Sequence, residues 1–174
     1  MKTEQITHSL LNTIAVYEAI LARVSEESFM QSPSHGNWSY SETYSHIFQS
    51  GLLSLIAIEN CIQQNGELSR KSIHWITLLI LYFGQFPPGK IKAPKRIASM
   101  VKKISKEEAH ALMLKFNLRL QEISHLVNTA NPHQKINHPR LGLLNAKQWL
   151  RFIEIHTIHH VKQLKRIEKQ LDNM

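Results

Sequence analysis

Two histidines near the end of the chain, His156 and His160, have the spacing of a helical metal site. Side chains four residues apart on a helix share one face, with Cβ atoms about 5–6 Å apart, which suits two imidazoles that bind one metal ion. Both histidines occupy apolar positions of a helical stripe, whose other members are Trp149, Ile153, Leu164, Ile167 and Leu171. Core histidines held by hydrogen bonds would give the same pattern, so the pair alone leaves both interpretations open.

A third metal ligand would have to come from a facing helix, and His46 is the best candidate. It stands four, seven and eleven residues before Ser50, Leu53 and Ala57, a spacing that predicts an inward-facing line. Three imidazoles leave a coordination position open, which is typical of catalytic rather than structural metal sites. His159 is rotated away from the helical pair. The remaining histidines are expected to be exposed or singly hydrogen-bonded, with His35, His133 and His138 in loops: His8, His35, His74, His110, His125, His133 and His138.

No general base or nucleophile stands out beside these histidines. Glu154 is near the ligands in sequence, but a residue two before His156 points to a different side of the helix. Glu42 has the position of a helix cap. Cys61 lies in an apolar helical segment, which favours a buried structural thiol over a reactive one. The catalytic residues therefore stay unassigned at this level.

Four segments have apolar residues at the spacing of a helix. These helices must position the candidate metal ligands. They are predicted at residues 3–24, 40–64, 105–130 and 145–171, and the last three begin at the capping residues Ser39, Ser105 and Asn145. Residues 65–104 contain an apolar stretch, Ile73 to Phe83, that suggests one short additional helix before an irregular, proline-containing connection. Strand patterns are absent, so we expect no sheet of three or more strands.

These four helices can bury their apolar stripes only against one another, which predicts an all-α four-helix bundle. The connection between the second and third helices is about forty residues long, enough to cross the bundle from end to end, so these two helices could run parallel. A chain of 174 residues has the size of one domain, and we expect a single domain over residues 1–174.

Two motifs surround the three histidines. The first is Asn37-Trp38-Ser39-Tyr40-Ser41-Glu42 with Ser45-His46-Ile47. The second comprises His138-Pro139, Gly142-Leu143, Gln148-Trp149-Leu150-Arg151-Phe152 and the segment His156-Thr157-Ile158-His159-His160-Val161-Lys162-Gln163-Leu164. Both motifs resemble the DinB superfamily, which includes YfiT-like metal-dependent hydrolases. The resemblance covers both ends of the chain well, and residues 65–104 depart from the family pattern.

The resemblance implies a bundle in up-down-down-up order with three histidine ligands, at His46, His156 and His160. It also implies a divalent metal, often nickel or zinc, which activates water for hydrolysis or a low-molecular-weight thiol for transfer to an electrophile or for isomerisation. A non-catalytic, stress-related metal-binding bundle is the alternative that the sequence leaves open.

The formal charge of +8 could attract nucleic acid, anionic lipid or acidic small molecules, and its sign alone chooses none of them. Lysines and arginines near the mouth of the bundle could attract an anionic or thiol small-molecule substrate. The basic runs at residues 90–103 and 162–169 lack the interleaved aromatic residues that stack on bases, so we expect them to be solvated faces. No apolar stretch reaches the roughly 20 residues needed to span a bilayer, so no membrane partner is expected. A single cysteine and a polar N-terminus predict a cytoplasmic protein, and a homodimer stays open.

Overall fold

Six α-helices account for most of the ordered structure in a computed structural model, which describes residues 2–34, 36–87 and 101–173. The helices are α1 (Thr3–Arg23), α2 (Glu26–Met30), α3 (Tyr40–Ile62), α4 (Trp75–Phe83), α5 (Lys106–Ser124) and α6 (Ala146–Leu171), and a 3₁₀ turn spans Val127–Thr129. The four long helices α1, α3, α5 and α6 form the bundle. They correspond to the four predicted helices, and the fold class is confirmed.

Local capping explains where three of the long helices begin. Ser39, Ser105 and Asn145 each form a capping box, in which their side chains accept a hydrogen bond from the backbone amide three residues later. The predicted starts of α3, α5 and α6 are therefore confirmed. The third predicted helix ends sooner than expected, at Ser124, because the chain tightens into the 3₁₀ turn before residue 130.

Contacts between helix ends give the directions of α1, α5 and α6. Lys106 Nζ at the start of α5 donates a hydrogen bond of 2.7 Å to Val24 O, just beyond the end of α1. These two helices are therefore antiparallel. The Arg23 guanidinium lies 2.8 Å from the carboxylate of Glu168, which brings the ends of α1 and α6 together. These helices run parallel.

The long connection between α3 and α5 makes these two helices parallel. Near their starts, Ser41 Oγ lies 2.6 Å from both the backbone nitrogen and the carbonyl oxygen of Ile104. Near their ends, Arg119 forms an ion pair with Glu59. Since α3 begins beside the end of α1, the bundle has the up-down-down-up order that was predicted.

The core lies between the four long helices, and α1 and α3 each pack against both α5 and α6. Tyr17 connects three of them: its hydroxyl donates to Thr157 O of α6 at 2.7 Å, and its own carbonyl accepts from the Tyr44 hydroxyl of α3 at 2.6 Å. Both tyrosine rings are fully buried and pack edge to face, with centroids 5.5 Å apart. This packing fixes α3 and α6 relative to each other, and these are the helices that carry His46 and the His156–His160 pair.

A small sheet lies beside the bundle, and the expectation that no such sheet exists was wrong. Its three strands are β1 (Glu67–Leu68), β2 (Gln134–His138) and β3 (Gly142–Leu144), all antiparallel in the order β1-β2-β3. Strands of two, five and three residues are too short to show an alternating pattern. Their pairing depends on a tertiary contact that brings β1 to β2.

Two further segments refine the predicted connections. The stretch from Ser25 to Asn37, which falls between the first two predicted helices, contains α2, which begins where Ser25 accepts a hydrogen bond from the backbone amide of Ser28. Helix α4 matches the suggested short helix, starting two residues later than Ile73. Pro88, Gly89, Pro94 and the basic run up to residue 100 lie outside the described residues. No helix in the described part of the chain combines the length and apolar character that crossing a bilayer requires.

Candidate metal centre

The start of α3 places His46 inside the bundle. Ser39 and Glu42 cap the helix reciprocally, with Ser39 N donating to Glu42 Oε2 at 2.9 Å and Glu42 N donating to Ser39 Oγ at 3.2 Å. His46 lies in the second turn and is 7% exposed. The orientation of the helix start is thereby fixed locally, and Glu42 has the capping role expected from the sequence.

Helix α6 supplies the other two histidines. His160 is buried, at 7% exposure, and His156 is partly buried. The Phe152 ring stacks on the His156 imidazole, with centroids 5.3 Å apart and an interplanar angle of 20°. Because residues 152, 156 and 160 share one face of the helix, this stacking restricts the His156 ring to an orientation beside His160.

The structure brings the imidazoles of His46, His156 and His160 together. His156 Nε2 lies 3.2 Å from His46 Nε2 and 3.1 Å from His160 Nε2. One ligand atom from each residue lies within 4.8 Å of the others, and in the described residues these are the only three side chains that form such a group. Equivalent ring nitrogens from two helices thus converge on one point.

All three imidazoles are held in the neutral form. Burial lowers the pKa of His46 to about 4 and that of His160 to about 3, and it lowers the pKa of His156 well below its ordinary value. Each of the other imidazoles adds to the effect on His156, because positive charges on adjacent rings repel each other. Neutral imidazole is the form that binds a metal ion.

Gln163 determines which nitrogen of His160 faces the cluster. Its Oε1 lies 2.6 Å from His160 Nδ1, and an amide oxygen can only accept a hydrogen bond, so Nδ1 carries the proton. The lone pair of His160 Nε2 then points at the other two rings. A single proton on His156 Nε2 cannot satisfy both neighbouring Nε2 atoms with good geometry, whereas a shared cation can. The donor set therefore fits a metal ion.

Replacing Gln163 by leucine should weaken metal binding about tenfold, because partners of metal-bound histidines orient the ring and set its tautomer. Isothermal titration of metal-free protein with Zn²⁺ would measure the change. Gln170→Leu is the matched control, since Gln170 is exposed and lies two turns further along α6. Equal affinities for wild type and Gln163→Leu would contradict the role given to Gln163.

Aromatic side chains surround the three imidazoles on the outer sides. Trp38 packs against His46 with ring centroids 5.0 Å apart, and Phe86 lies 6.5 Å from His156. Trp38 also lines a depression of about 490 Å³, whose other lining residues are Ser32, Pro33, Ser34, Gly36, Asn37 and Glu42. None of the three histidines lines this depression, and Trp38 is the lining residue that also contacts His46.

The other sequence candidates lie outside the cluster. The His159 ring packs on Phe86 at 5.3 Å and does not join the three converging nitrogens. Glu154 is buried and paired with Arg151 on its own helix. Cys61 is fully buried, and burial raises the pKa of its thiol to about 11, which agrees with a structural thiol.

Two histidines expected to lack a metal role have structural hydrogen bonds. His74 caps α4, with its Nδ1 accepting from the backbone amide of Ile76 at 3.3 Å. His138, expected in a loop, ends β2, and its Nδ1 accepts from the amides of Arg140 and Leu141 at 3.2 and 3.1 Å. His35 lies outside the described residues. The spacing of histidines in the sequence did not reveal Trp38, Phe86, Phe152 or Gln163, although Trp38 belongs to the first sequence motif and Phe152 and Gln163 belong to the second.

Solved structures of known proteins resemble this fold. YfiT from Bacillus subtilis, described as a probable metal-dependent hydrolase with an unusual four-helix bundle topology, matches with a TM-score of 0.67 at 12% identity, over 98% of this chain and 88% of that one. The four-helix bundle protein TT2238 matches with a TM-score of 0.52 at 16% identity, over 95% and 99% of the two chains. At such identities the likeness concerns the fold alone.

The sequence comparisons go further than the fold. No curated protein sequence gives a significant match. The profile of the DinB superfamily, in contrast, matches residues 9–164, which include all three converging histidines and both motifs. On this match over most of its length, the chain belongs to the DinB superfamily.

Proposed function

We propose that His46, His156 and His160 hold a divalent transition metal ion, nickel or zinc, and that the protein is a metal-dependent hydrolase or thiol transferase. One observation carries the proposal: three neutral imidazoles from two helices direct Nε2 atoms to one point. The relative YfiT is described as a probable metal-dependent hydrolase, which supports the same class of activity.

The number of ligands favours an enzyme over a structural site. Structural zinc is normally held by four protein ligands, whereas catalytic sites use three and leave room for a small molecule. Among the residues described, no cysteine or carboxylate joins the three histidines. When bound, a divalent ion supplies a Lewis acid and lowers the pKa of water or a thiol, so that a nucleophile forms near neutral pH.

The protein's own residues would orient the ligands and receive the substrate. Gln163 and Phe152 fix two of the imidazoles, as described above. The depression beside Trp38 has the volume of a small-molecule site, for which about 300–1,000 Å³ is usual. Its serine and asparagine side chains would hydrogen-bond polar groups of a substrate, while the Trp38 ring would contact apolar ones.

The charges on α6 favour an anionic substrate. Lys162 and Arg166 are exposed and close enough that their positive charges lower the pKa of His159, and Arg166 has the same effect on His160. A positive field of this kind concentrates carboxylates or thiolates near the site. We further propose a cytoplasmic setting, which the free, buried thiol of Cys61 supports.

Metal analysis of the purified protein, followed by an activity screen, tests the proposal. We expect about one nickel or zinc ion per chain, and turnover of either ester and amide substrates or electrophiles offered with low-molecular-weight thiols. The activity should disappear with a chelator and return with metal. Stoichiometric metal with no turnover in either screen would favour the alternative, a non-catalytic metal-binding bundle, and absence of metal binding would overturn the proposal.

A further inference from the structure

The segment that follows α4 reaches the candidate metal centre. Helix α4 ends at Phe83, and Gly84 turns the chain with a left-handed backbone, φ 71°. Two residues later the Phe86 ring packs against α6, with centroids 5.3 Å from His159, 6.5 Å from His156 and 6.4 Å from Phe152. Phe86 therefore forms a side wall of the histidine cluster. It follows α4, whereas the three histidines lie on α3 and α6.

Against the residues that the structure describes, helix α4 buries little of its own surface. Of its nine residues only Thr77 and Ile80 are buried. The outward-facing side chains are apolar and well exposed: Trp75, Ile76, Leu78, Leu79, Tyr82 and Phe83. Within the described part of the chain, Thr77 donates a hydrogen bond of 3.2 Å to Leu141 O, and the contacts at the end of α4 are the ones nearest to Phe86.

Arg151 of α6 makes such a contact. Its Nε donates a hydrogen bond of 3.0 Å to Leu81 O, one of the last carbonyl groups of α4. Its Nη1 forms an ion pair with Glu154, whose side chain is only 3% exposed. A buried carboxylate is stable in its charged form only when it is paired, so Glu154 holds the guanidinium in a fixed orientation.

Gly84 shows how closely Arg151 approaches the segment. A Cβ atom added at this glycine would lie 2.4 Å from Arg151 Nη2, too close for any real contact. The left-handed backbone at Gly84 also disfavours other residues. Because glycine has no Cβ atom, Gly84 allows both the turn after α4 and the close approach of the Arg151 guanidinium to this turn.

We propose that Arg151, oriented by Glu154, is a positioning residue that holds residues 81–86 on α6, so that Phe86 forms one wall of the candidate metal centre. The effect on metal binding rests on the proposed function, because the Phe86 wall restricts the imidazole of the proposed ligand His156. Arg151 touches neither the converging nitrogens nor the depression beside Trp38 among the contacts described, and it acts through the backbone of Leu81.

Side-chain NMR of metal-free protein tests the tether without any metal. In Arg151→Met and in Gly84→Ala, the imidazole signals of His156 and His159 should shift towards their positions in Phe86→Leu, because the ring current of Phe86 is lost in each case. Arg151→Met/Glu154→Gln removes the buried charge together with its partner and should give the same shifts if the single variant folds poorly. Arg119→Met is the matched control, since Arg119 also pairs with a glutamate three residues later but lies on α5.

Metal affinity tests whether the tether acts on the site. We expect Arg151→Met and Phe86→Leu each to weaken Zn²⁺ binding about tenfold, as is usual when groups that orient the metal ligands are removed. The double variant Arg151→Met/Phe86→Leu should be no weaker than Phe86→Leu alone, and Arg119→Met should bind like wild type. Unchanged His156 and His159 signals in both Arg151→Met and Gly84→Ala, or losses of affinity that multiply in the double variant, would overturn the positioning role. Should wild-type protein bind no Zn²⁺, the proposed function fails, and the NMR shifts alone decide the tether.

Discussion

Alanine at both His156 and His160 is expected to abolish metal uptake and any metal-dependent activity, while the bundle still folds. The double change removes two of the three converging nitrogens and leaves His46 alone, which cannot hold a divalent ion at ordinary concentrations. Metal content should fall from about one ion per chain to none. Wild type should gain about 3 kcal/mol of stability at a metal concentration of roughly 100 times Kd, and the variant should gain nothing.

Circular dichroism and metal analysis on the same samples check this expectation. His110→Ala is a suitable control, because His110 is exposed on α5 and takes no part in the cluster. Its metal content and its metal-induced stabilisation should equal those of wild type. Retention of a full equivalent of metal by the double alanine variant would show that the site lies elsewhere, and activity that survives verified metal loss would remove the metal from the mechanism.

The metal-free protein should lose stability steeply as the pH falls from about 6.5 to about 4. Burial lowers the pKa of His46 to about 4 and that of His160 to about 3, so in this range the unfolded chain binds more protons than the folded one. The free energy of unfolding therefore rises as the pH increases from about 4 to about 6.5. Above about pH 6.5 the contribution of the buried neutral histidines is complete. For His46 the difference between 6.5 and about 4 corresponds to about 3 kcal/mol.

Urea denaturation of chelator-treated protein at pH 7 and pH 5 would measure this effect. His46→Gln should flatten the dependence, since glutamine does not titrate, whereas His125→Gln at an exposed position should leave it unchanged. The partly buried His138, whose pKa burial also lowers to about 4, contributes in the same direction, and together with His160 and His156 it accounts for dependence that remains in His46→Gln. Equal stability of the wild type at the two pH values would contradict the buried, neutral state of the cluster.

The helices and their starts were readable in the sequence because both depend on neighbours close along the chain. A stripe at steps of three and four, such as Leu10 to Ile14 to Tyr17 in α1, can be recognised without knowing which residues cover it. A capping box joins residues three apart, as at Ser105 and Glu108. The length of the connection between α3 and α5 showed only that these helices could run parallel, and the family resemblance implied the full up-down-down-up order.

The short strands could not be predicted from the sequence, because part of their pairing depends on residues that are far apart along the chain. Strand β2 exists because Ile136 and His138 pair with Leu144 and Gly142 across a turn, and because Lys135 pairs with Glu67, far away in the sequence. Three to five residues carry too little pattern to predict such pairing. The sheet also ends at His138, a residue for which spacing alone predicted only a loop.

For the candidate metal centre, the sequence by itself determined the identity of the converging residues, through the spacing of His156 and His160, the inward line of His46 and the family motifs. Only the tertiary structure decided which nitrogens face one another and what holds them there. The contact of Gln163 with His160 joins residues close along the chain. It orients a candidate ligand only because the His160 ring faces His46 on another helix. The Arg151 contact with Leu81 joins residues seventy apart, and no local propensity encodes a hydrogen bond whose partners meet only after the helices have packed.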